Sequence, residues 1–109
     1  MRQLAVYLND QRAGVLTENR PGRDFTFRYD DDYLATDGPS ISVTLPKRSE
    51  PYESPSLFPF FTNMLPEGAN RKVICRSLRV DENDFFGLLS AMAGMDFIGA
   101  VHIKAMNHD

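Results

Sequence analysis

Several absences narrow the field before any motif is read. A single cysteine, Cys75, leaves no internal disulfide to form, so an oxidising compartment is not implied. No apolar run approaches the roughly 18 residues of a membrane-spanning helix, and no apolar stretch of the secretory kind follows Arg2. A cytoplasmic location is the expectation. Positive charge is not in excess either: the net charge is −3 and the pI about 5.3, which offer no general attraction for a phosphate backbone. Direct nucleic-acid binding and membrane association are therefore not expected. There are no internal repeats, no low-complexity tract and no long linker, and 109 residues suffice for one domain, 1–109, with a single core.

Catalytic vocabulary is equally sparse. There is no GxSxG elbow, and Cys75 follows apolar Ile74 inside a helical pattern, which suits a structural thiol better than a reactive one. His102 and His108 have no ligand partner at metal spacing, so no metal and no cofactor is expected. Asp30-Asp31-Asp32 lacks the alternate spacing and central glycine of a calcium loop and reads as a solvated turn. Asp84-Phe85-Phe86-Gly87 and Asp96-Phe97-Ile98-Gly99 each look like a kinase DFG with one residue inserted. A phosphotransferase would also need a glycine loop over the phosphates, a strand lysine and a catalytic Asp with its Asn, and none is present. Helix-cap and strand-start readings account for both words, and the chain is read as having no catalysis of its own.

What is present divides at one stretch, Ser56 to Gly68, SLFPFFTNMLPEG. Before it the chain reads as strands. Leu4, Val6 and Leu8 alternate with Ala5 and Tyr7, Asn9 to Arg12 supply turn formers, and Ala13 to Leu16 return as a hairpin partner. Arg20-Pro21-Gly22 makes a second turn, and Phe25, Phe27 and Tyr29 alternate with Thr26 and Arg28. This is the pattern of a sheet with one apolar face. Tyr33 to Pro39 reads as loop, Ile41, Val43 and Leu45 as one more short strand, and Lys47 to Pro55 as a surface connection.

From the central stretch onward the spacing predicts helices. Ser56 is a candidate N-cap with Pro59 in the first turn, and Leu57, Phe58, Phe61, Met64 and Leu65 would line a buried face. Pro66 ends that helix and can open the next, with Glu67 against the positive end of its dipole. Ala69, Val73, Ile74 and Leu78 then share one side. Lys72, Arg76 and Arg79 share another, either a solvated face or a docking face for an acidic partner. Asp81, with Asp84 three residues on, predicts a third helix carrying Phe85, Phe86, Leu88, Leu89 and Met92, ending at Gly94. Phe97 to Ile103 predicts a closing strand, and the residues after Lys104 a frayed tail. The expected architecture is α+β: an antiparallel sheet of N-terminal strands plus a C-terminal strand, packed with about three helices.

The wording of these segments resembles a known family. Leu8-Asn9-Asp10-Gln11-Arg12-Ala13-Gly14-Val15-Leu16 resembles the opening hairpin of HipA-type kinases, and Ile41-Ser42-Val43-Thr44-Leu45-Pro46 their S-x-(S/T)-L-P segment. Phe58 to Gly68 resembles their F-x-F-F-x-x-L-L-P-E-G core. Asp84 to Leu89 and Gly94 to Val101 are similar to their D-x-F-x-L-L and G-x-D-x-x-G-A-V elements. These matches come in order along nearly the whole chain and correspond only to the N-terminal subdomain of such kinases.

A free-standing protein of this kind resembles the HipS-type small subunit of tripartite HipBST toxin–antitoxin systems. The resemblance implies an antitoxin that binds and neutralises a HipT-like kinase toxin, beside a HipB-like helix-turn-helix protein that holds the operator. Kinases of this family phosphorylate aminoacyl-tRNA synthetases and thereby halt translation. The candidate kinase-binding element is the turn Asn63, Met64, Leu65, Pro66 and Glu67, with Met64 or a neighbour entering a pocket near the kinase active site and Glu67 competing for a basic group there. Alternatively, Met64 and Leu65 complete a core face and Pro66-Glu67-Gly68 only turns the chain. Competing functions are an excised N-terminal subdomain of a full HipA-like kinase, a small enzyme, or an accessory co-repressor touching DNA through Arg71, Lys72, Arg76 and Arg79.

Overall fold

The computed structural model describes residues 1–93 and 101–106. Over these the fold is α+β: a five-stranded antiparallel sheet with helices packed on one face, the strands lying in the order β4-β3-β2-β1-β5. β1 (Arg2–Leu8) and β2 (Gln11–Arg20) form the first hairpin. Its two-residue turn, Asn9-Asp10, has both φ angles positive, the handedness that matches the twist of the flanking strands and that Asn and Asp tolerate. Pro21-Gly22 turns the chain into β3 (Arg23–Tyr29), with Gly22 at φ 77°. β5 (Val101–Ala105) returns beside β1, pairing Val6 with Ile103 and Leu4 with Ala105.

The alternation read in the sequence sets the two faces. Leu4, Val6, Leu8, Leu16, Phe25, Phe27, Tyr29 and Ile103 all turn inward and are buried. Gly14 faces Tyr29 across the strands, and a side chain there would run into the Arg28 carbonyl and the Phe27 ring. The helices bring Phe61, Cys75, Phe86, Leu88 and Leu89 onto this face, and the turn between the second and third helices adds Leu65. Phe61 meets Phe27 at 5.8 Å between ring centroids, and Phe86 meets Phe25 at 6.2 Å. Cys75 is a buried free thiol.

Among the described residues, four helical segments occur where about three were expected, two of them single turns. The extra one, α1 (Asp31–Leu34), lies where the acidic run was read as a turn and Tyr33 onward as loop. Asp31 and Asp32 suit its first turn through the dipole, and Tyr33 is buried with its ring stacked 6.2 Å from Tyr29. The connection Lys47 to Pro55 contains a short edge strand, β4 (Tyr52–Ser54), bounded by Pro51 and Pro55, which cannot donate to a ladder. Ile41, Val43 and Leu45 do not form a strand. Ser42 and Leu45 bridge a turn, Ile41 and Leu45 turn inward, and Val43 sits at the tip, 96% exposed. The Tyr29 hydroxyl closes this turn from inside, donating to the Leu45 carbonyl and accepting from the Ile41 N–H.

The helix expected from Ser56 is shorter, α2 (Pro59–Thr62), and Ser56 does not cap it. Phe58 occupies the N-cap position with φ −59° and ψ 136°, because a residue preceding proline is disfavoured in helical geometry. α3 spans Gly68–Leu78 and α4 spans Phe85–Ala91. The cap of α4 is Asp84 rather than Asp81: Asp84 Oδ1 accepts from the Gly87 N–H at 3.0 Å, while Asp81 Oδ1 accepts from the Asn83 N–H. Within α4, Phe86, Leu88 and Leu89 are buried and Phe85 stays on the rim, while Met92, the C-cap, packs partly. The tail reading needs shortening, since Ala105 still pairs with Leu4 in β5. The expectations for Gly94 and the words from Asp96 to Ala100, and for His108, fall outside the described residues.

Candidate functional site: the turn between α2 and α3

The proposed kinase-binding residues form one continuous turn with mixed exposure. Phe61 anchors its N-terminal side, fully buried, with Phe58 and Phe60 against it edge-on. The Asn63 N–H bonds the Pro59 carbonyl at 2.9 Å, and those of Met64 and Leu65 bond Phe61 and Thr62 at 3.1 Å, so the chain keeps coiling past α2. Leu65 is core, 4% exposed, as the alternative reading of the turn held. Met64 packs partly against the core and keeps an open side, Pro66 is half-buried, and Asn63 and Glu67 are exposed. Glu67 is the N-cap residue of α3 in extended geometry, and Gly68 follows at φ 57°, a region glycine enters without strain. The helix therefore opens at Gly68 and not at Pro66, with the Glu67 charge still beside its positive end.

A brace that sequence reasoning missed holds this turn. Arg71 Nε donates to the Pro66 carbonyl at 2.9 Å, and the same guanidinium lies 5.1 Å from the centre of the Phe85 ring. In the sequence Arg71 was grouped only with the cations of its helix. The i to i+5 return to a proline carbonyl was the available signal, because a carbonyl just ahead of a helix has no intrahelical partner.

α3 carries the second candidate group. Its inward side is Arg71, Ile74, Cys75 and Leu78, whereas Ala69 and Val73, expected to be buried with Ile74 and Leu78, are exposed, Val73 by 62%. Cys75 takes the central inward position and rotates the helix away from the face on which Val73 was placed. Lys72, Arg76 and Arg79 are all exposed. Arg79 lies one residue beyond the helix at φ 57°, and the Val80 N–H closes the end on the Cys75 carbonyl at 2.9 Å.

Opposite the helices, the sheet bears a shallow groove of about 450 Å³ whose lining includes Gln3, Arg12, Thr17, Thr26 and Arg28. Its arginines are engaged, Arg12 with Asp30 at 2.9 Å and Arg28 with Asp31 at 3.7 Å. Among the described residues no group of three or more His, Cys, Asp and Glu could hold a metal ion. No helix among them is long and apolar enough to cross a membrane.

A sheet that buries one face under short helices and projects a braced turn defines a small α+β module. The chain belongs to the HipA N-terminal domain family, whose model matches residues 4–104. It is 34% identical over 104 residues to an uncharacterized protein of Haemophilus influenzae, covering 95% of this chain and 92% of that one. It is also 34% identical over 104 residues to the putative kinase Y4mE of Sinorhizobium fredii, covering 94% of this chain but only 24% of the kinase. Among solved structures, a HipA toxin N-terminal domain superposes with TM-score 0.75 at 28% identity, covering 100% of this chain and 96% of that one. HipA of Shewanella oneidensis, solved with HipB and its operator DNA, superposes with TM-score 0.76 at 26% identity, over 96% of this chain and 24% of that one.

Proposed function

We propose that this chain is a non-catalytic antitoxin or regulatory subunit that binds and neutralises a HipT-type serine/threonine kinase, in a complex with a HipB-type helix-turn-helix protein. The observation that carries the reading is the pair of size relations. One relative is covered to 92% and a putative kinase to 24%, so the same module occurs at its own size and inside a kinase-sized chain. A surface suited to a kinase body within one chain can meet such a body between chains. In this reading the Met64 thioether enters an apolar pocket beside the kinase active site, and Glu67 engages a basic group there. Leu65 and Phe61 hold the turn from below.

The test is co-expression with the kinase encoded beside it, scoring growth rescue and co-purification together. Rescue with a stable complex is the expected result, and Met64→Asp is expected to abolish rescue. Because Met64 is partly packed, the exposed-site variants Asn63→Arg and Glu67→Lys are run beside it, with circular dichroism to confirm folding. Rescue retained by all three would remove the turn from the mechanism. A complex without rescue would make the chain an accessory subunit, and neither binding nor rescue would end the antitoxin reading.

A second reading, an N-terminal subdomain that buttresses the core of a HipA-like kinase, draws on the match to a quarter of Y4mE. A reading frame that continues past Asp109 into a kinase would favour it.

A further inference from the structure

We propose that the solvent face of α3 is a second docking surface, separate from the 63–67 turn, for a protein segment that sets carboxylates around an apolar side chain. From Gly68 to Val80 the chain has four cations, Arg71, Lys72, Arg76 and Arg79, and no acid, in a protein of net charge −3. Arg71 is occupied with the Pro66 carbonyl. Among the described residues, none of the ion pairs formed takes in Lys72, Arg76 or Arg79.

Helical geometry places these groups together. At about 100° per residue, Ala69, Lys72, Val73 and Arg76 fall on one strip, directly opposite the inward side formed by buried Cys75 and partly buried Ile74 and Leu78. Val73, 62% exposed, thus borders the strip with Arg76 one turn on and Lys72 beyond it on the same side, and Ala69 leaves room beside it. Arg79 adds a third cation at the C-terminal end from a left-handed backbone conformation that glycine would occupy with less strain.

Two features favour an acidic protein segment over nucleic acid. The net charge is negative, and an exposed valine beside the cations offers nothing to a phosphate backbone but suits a leucine or similar anchor set among carboxylates. The strip is short, and the attraction is one of charge complementarity rather than area, so the association is expected to be weak and strongly weakened by salt.

The test uses the full chain and a fluorescent amphipathic peptide carrying Glu on both sides of a Leu stripe, with a leucine-free Glu peptide and duplex DNA as competitors. The Leu-bearing peptide is expected to bind best. Lys72→Glu with Arg76→Glu is expected to weaken it about tenfold or more, and Val73→Asp by a similar factor. These positions are exposed, and unchanged thermal unfolding verifies the fold of each variant. Arg79→Gly separates function from structure: it is expected to raise thermal stability while lowering affinity. No binding, equal binding of the leucine-free peptide, or tighter binding of DNA would each overturn the proposal. So would a dimer of this chain abolished by the double charge reversal, which would assign the face to a second copy through its own acidic runs.

Discussion

Arg2, at the second position of the chain, is expected to be one of its most costly side chains to remove. Its guanidinium donates to both Glu18 oxygens, at 2.6 and 2.7 Å, and to both Asp84 oxygens, at 2.9 and 3.2 Å. It also lies 5.1 Å from the centre of the Phe86 ring. It thereby ties β1 to β2 and the sheet to the cap of α4. The Glu18 side chain is 3% exposed and Arg2 42% exposed. Arg2→Met leaves a buried carboxylate whose remaining described partner is the Gly22 N–H at 3.1 Å. Breaking a fully buried ion pair from one side costs about 3–5 kcal/mol. Water can reach Glu18 through the space the arginine vacates, which brings the expected loss down to about 2–3 kcal/mol, a large share of the roughly 5–15 kcal/mol that holds a small domain.

The cycle with Glu18 separates this cause from lost packing. Arg2→Met with Glu18→Met removes the stranded charge, and most of the loss is expected to return, leaving about 1 kcal/mol for the Asp84 contacts. Arg2→Lys is expected to fall between, since an ammonium cannot bridge two carboxylates with a planar fork. Urea unfolding at neutral pH, followed by circular dichroism, reads each variant as a midpoint shift. An Arg2→Met loss under about 0.5 kcal/mol, or a double variant no better than the single, would refute the argument.

Three further outcomes are expected. Asp84 is held below the ordinary carboxylate range, first by the Arg2 hydrogen bonds and then by the Gly87 N–H, against an opposing contribution from burial. Its folded pKa is therefore lower than its unfolded one, so its contribution is present above the unfolded value and lost as pH falls below about 4; Asp84→Asn should flatten that acid limb of the stability profile. Tyr29→Phe strands the Ile41 N–H and the Leu45 carbonyl, at an expected cost of about 2–3 kcal/mol, with faster hydrogen exchange at the Ile41 amide as the local readout; an unchanged amide would show that the turn closes without the hydroxyl. Arg71→Ala frees the Pro66 carbonyl and uncovers Phe85; it should cost little stability, about 0.5–1 kcal/mol, yet speed dissociation from the proposed kinase partner several-fold, and unchanged dissociation would remove the brace from the binding argument.

How much of this was legible in the sequence follows from the range of the forces concerned. The inward faces of β1, β2 and β3 were legible because alternation is a property of neighbouring residues, and Leu4, Val6, Phe25, Phe27 and Tyr29 are buried as read. The frame of α3 was not. Val73 and Ile74 fit a helical stripe equally well, and only packing of Cys75 against the core decides that Val73 faces water. The strand read at Ile41, Val43 and Leu45 failed for a related reason: a tight turn also buries two residues four apart, and the tyrosine hydroxyl that closes it lies twelve residues from Ile41. Arg2 was invisible for the same cause, because its partners are 16 and 82 residues away.

The candidate site shows the same division. Family wording pointed to 63–67, and local pattern left Met64 and Leu65 equally suited to core or tip. Packing separates them, with Leu65 inward and Met64 open on one side. A binding turn gains affinity when its conformation is fixed before the partner arrives, because the ordering cost is then incurred on folding and not on association. Here the fixing elements are non-local: Phe61 on Phe27 from below, Leu65 in the core, and Arg71 on the Pro66 carbonyl from the side. They would hold the turn in the same way whether the kinase body stood in the same chain or in another. The chemistry of the tip, one adaptable thioether between an exposed amide and an exposed carboxylate, is what a partner would read. The sheet and the brace decide that it would meet such a partner in a single conformation.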